Sequence, residues 1–168
     1  MPQCSSVPWY AVRTRSNAEK LVATSLKARG FEQYLPLSTV RKVWSDRVIE
    51  STVPLLGGYV FCRFDSTCRS RILGTPGVSS IVGFSGVPAV IADSEIDAIK
   101  IVLRSGLSPQ HCGYVQEGQR IRVLRGPLKG LEGILLKKRD LRIVISVEML
   151  QRSLAVEVDS DCVAAICQ

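Results

Sequence analysis

The sequence predicts an α+β chain: a mainly antiparallel sheet with flanking helices, followed by a small β-barrel. Three observations predict it. Elements from Trp9 to Arg104 read in the order βαβββαβα, which suits one α+β domain. The texture then breaks at Ser105–Gly113, where no apolar period survives. Beyond that point only strand-like segments remain, with apolar and polar residues alternating from Leu141 to Glu148 and from Leu154 to Asp159.

In chain order, Trp9–Thr14 reads as a strand. Ser16 and Glu19 have capping-box spacing. Ala18, Leu21, Val22, Ser25 and Leu26 then fall at helical spacing, and Gly30 suits a C-cap, so a helix is expected over Asn17–Arg29. Tyr34–Trp44 and Val48–Leu55 read as extended segments around a turn at Ser45–Asp46, and Tyr59–Phe64 as a third. Thr67–Leu73 reads as a short helix closed by Gly74, and Val78–Phe84 as the last strand of this part. Ser94 with Asp97 starts a helix over Glu95–Arg104, with Ile96, Ile99, Val102 and Leu103 on one face. The expected division is a domain over 8–105, a linker over 106–113 and a barrel over 114–167. A unit of about 53 residues is marginal alone, yet feasible when its sheet closes on itself.

The net charge is +7 and the pI about 9.3. The part up to residue 105 holds 13 basic and 8 acidic residues; the remainder holds 9 and 7. The positive excess is therefore mainly N-terminal and admits polyanionic partners without requiring them. Cysteines at 4, 62, 68, 112, 162 and 167 form no C-x-x-C pair and are expected to be reduced and structural, with no metal. Met1–Pro8 has neither the basic nor the apolar region of a signal peptide, which suits a cytoplasmic protein. The run Ile72–Ala92 is uncharged, but its glycines, prolines and serines read as buried strand and turns rather than a membrane span. The only histidine, His111, lies in the expected linker. No P-loop, dinucleotide fingerprint, nucleophile elbow or H-E-x-x-H occurs, so neither catalysis nor a cofactor is expected.

The most informative stretch is Gly113–Leu136. Strands around Ile121–Leu124 and Leu131–Lys137 flank a tight connection built on Gly126, Pro127 and Gly130. Gly133 sits inside the second strand, where a bulge or a close backbone approach is the usual cause. The stretch resembles the KOW motif. The opening Trp9-Tyr10-Ala11-Val12, the block Pro54-Leu55-Leu56-Gly57-Gly58-Tyr59-Val60-Phe61-Cys62-Arg63-Phe64-Asp65 and the block Pro76–Phe84 precede it. These four blocks, in this order, resemble the NusG family of bacterial transcription factors over Trp9–Ile166.

The resemblance implies an NGN-type N-terminal domain that binds the clamp helices of the RNA polymerase largest subunit and suppresses pausing or termination. It implies an SH3-like KOW barrel that recruits a further factor, either termination factor Rho or a small-subunit ribosomal protein. The short loops between blocks look closer to specialised operon antiterminators such as RfaH than to the housekeeping member. A cytoplasmic monomer away from membranes is implied. The alternative is a ribosome- or RNA-binding KOW protein not tied to polymerase.

Tyr59 and Phe61 share one face of their strand; Val60, Cys62 and Phe64 share the other. Tyr59, Phe61 and Phe84, with Tyr10 or Leu56, are the candidates to line a groove for a partner helix, against ordinary core as the alternative. Leu56-Gly57 stands where family patterns favour Phe-Pro. Arg13, Arg15, Arg41, Lys42, Arg47, Arg69 and Arg71 are the candidates to meet phosphates of the non-template DNA strand or nascent RNA, against a solvated positive face. No acidic residue lies between Asp65 and Asp93. In the barrel, Met149, Leu150 and Arg152 fall at an expected turn where the family's partner loop lies, and the two apolar residues there are expected to be exposed. The β-branched content of Arg142–Val147 and Leu154–Val158 favours a stable barrel over an alternative helical form.

Overall fold

The computed structural model describes residues 7–44, 47–107, 109–112, 118–135, 142–147, 150, 152–158 and 162–166. The chain divides into two compact units, Met1–Ala92 and Asp93–Gln168.

The first unit runs β1 (Trp9–Thr14), α1 (Glu19–Ala28), β2 (Glu32–Tyr34), β3 (Leu37–Trp44), β4 (Arg47–Pro54), β5 (Tyr59–Arg63), a 3-10 turn (Ser66–Cys68), α2 (Arg69–Leu73), β6 (Val78–Ile81), β7 (Gly83–Phe84), β8 (Val87–Pro88) and β9 (Val90–Ile91). Its main sheet is ordered β2-β5-β1-β6, and β9 also pairs with β1. The β1 pairings are antiparallel, and the register shifts at Arg13/Thr14 against β6. β1 is central because it is nearly all apolar: every residue but Arg13 is buried. β3 and β4 form a separate ribbon, as do β7 and β8. The expected last strand Val78–Phe84 is thus two strands. The turn at Ser45–Asp46 lies outside the described residues.

α1 forms where the helical spacing predicts, but its start differs. The N-cap is Ala18, with no side-chain hydrogen bond. The Glu19 carboxylate instead accepts from the Gly58 backbone N–H at 2.8 Å, tying the helix start to the turn before β5. The capping box does not form because Glu19 finds a tertiary partner. Val22, Ala23 and Leu26 of α1 and Ile72 of α2 bury against Tyr10, Val12, Val60, Cys62, Phe64 and Val78.

The second unit holds α3 (Asp93–Arg104), β10 (Gln110–Cys112), β11 (Gln119–Val123), β12 (Glu132–Leu135), β13 (Arg142–Val147), β14 (Arg152–Glu157) and β15 (Val163–Ala165). Its sheet is antiparallel, ordered β10-β14-β13-β12-β11-β15. The glycine-rich connection behaves as its composition suggests. Gly126 and Gly130 take positive φ (83° and 88°), and the Gly130 N–H donates to the Val123 carbonyl at 2.9 Å. Gly133 pairs with Ile121 with no break in register, so of the two alternatives, a bulge or a close backbone approach, the bulge is absent there. Ile121, Val123, Leu128, Leu131 and Val156 form the core, together with Val102 of α3.

Two features fall on the other side of the expected boundary. α3 packs against β13 and groups with the barrel, not with the N-terminal sheet. The expected linker contains β10, whose Gln110 and His111 pair with Ala155 and Leu154 of β14. A segment without sequence period becomes a strand because a neighbouring strand offers it a ladder.

The candidate docking face and basic surface

The strand register sorts the N-terminal sheet into two faces. Cross-strand partners share a face. Tyr10↔Cys62 and Val12↔Val60 lie on the side packed under α1 and α2. Trp9↔Arg63, Ala11↔Phe61 and Arg13↔Tyr59 lie on the opposite side, joined by Tyr34↔Phe61 and Trp9↔Ile91. Among the described residues, both helices of this unit pack on the first face. The second face is the aromatic one, bearing Trp9, Tyr34, Tyr59 and Phe61.

Tyr10 therefore leaves the candidate groove. It is buried on the helix side, its ring 4.5 Å from that of Phe64. Trp9, one residue earlier, takes its place on the aromatic face. The Arg63 guanidinium lies 4.8 Å from the Trp9 ring and 3.5 Å from the Glu32 carboxylate. The Tyr34 and Phe61 rings are 6.4 Å apart and near parallel. Sequence reading missed Trp9 because residue parity alone does not say which parity meets the helices.

Exposure divides the remaining candidates. Phe61 and Leu56 are fully buried, and Tyr59 is half-buried. Phe84 is 70% exposed, with its cross-strand partner Val87 at 68%. Their hairpin turns at Ser85 and Gly86, both at positive φ. The Arg69 guanidinium donates to the Gly86 carbonyl at 2.6 Å and holds this turn to α2.

The basic candidates scatter. Arg13 and Arg15 are exposed, and Arg13 stands in register between Tyr59 and Ser80. Arg41 pairs with Glu50 on the exposed ribbon at 2.7 Å, and Arg47 is exposed at its far end. The Lys42 side chain lies outside the described residues. Arg71 joins Arg29, which sequence reading passed over. Arg29 donates to the carbonyls of Arg71 and Gly74 at 3.0 and 3.4 Å, and Arg71 donates to the Arg29 carbonyl at 3.4 Å.

In the barrel, Leu150 is buried, not exposed at a turn, so it offers no surface contact in this conformation. Met149 and the Arg152 side chain lie outside the described residues. Of the thiols, Cys62 is buried and burial pushes it up to about 12, which leaves it protonated and unreactive at neutral pH. Cys68 and Cys162 are half-buried and unbridged. Among the described residues no three His, Cys, Asp or Glu side chains gather as a metal set.

With this geometry in view, the comparisons decide the family. The family model described as "Transcription termination factor nusG" matches residues 7–100, more than half of the chain. The chain belongs to the NusG family. It is 25% identical to the transcription termination/antitermination protein NusG of Campylobacter jejuni over 167 residues, covering 92% of this chain and 94% of that one. It is 28% identical to the protein of the same name from Pseudomonas aeruginosa, covering 90% and 94%. The fold is that of the solved NusG of Thermotoga maritima, with a TM-score of 0.54 at 19% identity over 95% of this chain and 97% of that one. The family match ends inside α3, so the barrel's place in this NusG-family chain rests on the full-length relatives. No helix is long and apolar enough to cross a membrane among the described residues.

Proposed function

We propose that this NusG-family chain is a cytoplasmic transcription elongation and antitermination factor that docks on the clamp helices of the RNA polymerase largest subunit. The observation that carries the reading is the aromatic sheet face free of the unit's own helices, with Phe84 exposed on a nearby hairpin. A rod-shaped partner matches such a face: large apolar rings supply area, and a helix groove needs few of them. Phe84 and half-buried Tyr59 are the available contacts on this reading, while Phe61 and Leu56 are buried and support the face from beneath. No catalytic step enters this reading, since binding alone accounts for the site. The barrel serves to recruit a further factor, and operon-specific action follows from the resemblance to specialised antiterminators. Buried Leu150 argues against a contact made by that side chain and leaves the recruited factor to other residues of the barrel end.

The test is capture of the full chain by purified clamp helices. Retention of the wild type, with loss for Tyr59→Ala/Phe84→Ala, supports the proposal. Failure of the wild type to bind, with retention on ribosomes or structured RNA, would replace it with the KOW-protein alternative.

A further inference from the structure

We infer that the joint where α1 and α2 end is a phosphodiester site, which reads a nucleic-acid backbone through Arg29 and Arg71. The inference goes beyond the proposed function and needs no polymerase to hold.

The two helices bring their C-terminal ends together. Each is capped by an arginine from the other. Arg29, the residue closing α1, donates through Nη1 and Nη2 to carbonyls at the end of α2. Arg71, in the last turn of α2, donates through Nη2 to the Arg29 carbonyl and lies 5.0 Å from the Phe31 ring centroid. The carbonyl ends of both helices and the ring face carry partial negative charge, which offsets the repulsion of two adjacent cations. No carboxylate is bonded to either guanidinium in these contacts, and none occurs in the sequence from Ser66 to Ala92.

A guanidinium has five N–H donors, and these caps use only part of each set. The remaining donors stay on two exposed side chains already fixed in position. That is the arrangement a phosphate oxygen needs: paired planar donors, positive charge opposite its own, and little rotamer freedom left to lose on binding.

The experiment titrates the full chain with a labelled single-stranded DNA and an RNA of the same sequence, reading anisotropy across a salt series. Wild type is expected to bind at least one of them. Arg29→Gln/Arg71→Gln is expected to raise Kd at least tenfold and to flatten the log–log salt slope by about 1.4, two phosphates at roughly 0.7 each. Arg122→Gln, in the other unit, is expected to change neither. Preference for DNA or RNA identifies the source of the phosphates; binding of neither overturns the inference, as does a folded double variant with wild-type Kd and slope. Should the double variant not fold, side-chain Nε–H resonances of Arg29 and Arg71 in the wild-type protein provide the readout. Saturable shifts on adding oligonucleotide support the site, and unmoved resonances overturn it.

Discussion

Phe61 and Phe84 are the same side chain in opposite surroundings, and they separate stability from docking. Phe61 is fully buried beside Tyr34, so Phe61→Ala removes packed volume and is expected to cost about 3–5 kcal/mol in urea unfolding. Phe84, 70% exposed, is expected to change stability by under ~0.5 kcal/mol when truncated. On the proposed docking reading, Phe84→Ala nevertheless weakens clamp-helix binding by about 2 kcal/mol, near thirty-fold, measured by calorimetry. Equal effects of the two substitutions on both measurements would defeat this division. Cys62 supplies the pH dependence at this scale. Burial raises its pKa to about 12 from 9.0, so the folded state keeps a proton that the unfolded state releases earlier. Its stabilising share is complete below pH 9 and is lost as pH rises from 9 toward 12. Stability is expected to fall over this range by at most ~1.4 kcal/mol per pH unit from this group. Cys62→Ala should flatten that decline relative to wild type; identical slopes above pH 9 would refute the assignment.

At the scale of elements, one close join lies between α1 and the turn into β6. A Cβ on Gly77 would sit 2.9 Å from Val22 Cγ2 and 3.1 Å from Ala18 Cβ, at φ +88°. The Gly77 carbonyl also accepts from the Arg15 N–H at 2.8 Å, so the backbone cannot swing away freely. Gly77→Ala is expected to cost about 1–3 kcal/mol, seen as a lower urea midpoint with an unchanged m-value. A neutral result would mean that α1 shifts without penalty. This join also shows what sequence can and cannot disclose. The period of Val22 and Leu26 made α1 legible, because helical spacing is local. The capping box was misread because Glu19 answers to Gly58, a partner 39 positions away that no local window contains. Alternation told which of Tyr59–Phe64 travel together, yet Tyr10 and Trp9 exchanged roles because the covered side is decided by where α1 docks. Arg29 went unnoticed for the same reason: its significance begins only when α2 arrives beside it.

For the whole molecule, the boundary between units decides how the chain can be divided and still fold. A cut at the expected linker would leave α3 behind and begin after β10. Val102 of α3 is buried in the barrel core, with Ala98 and Ile101 packed against it. Burying one such valine contributes about 1.5–3 kcal/mol. β10 further covers the edge of β14 through three consecutive pairs, Gln110↔Ala155 to Cys112↔Ser153, and leaving that edge bare exposes unpaired backbone groups. A fragment spanning 93–168 is therefore expected to exceed one spanning 114–168 in stability by at least ~2 kcal/mol, measured by urea unfolding of both. Amide NMR of the longer fragment is expected to show strands at 142–147 and 152–157, where Ile143, Ile145 and Val147 and then Leu154 and Val156 recur at every second residue. The sequence made those strands legible by period, while β10 and the attachment of α3 stayed hidden, since both arise from long-range packing. Equal midpoints for the two fragments would show that α3 and β10 add nothing to the barrel, and would return the working boundary to the glycine- and serine-rich stretch after Arg104.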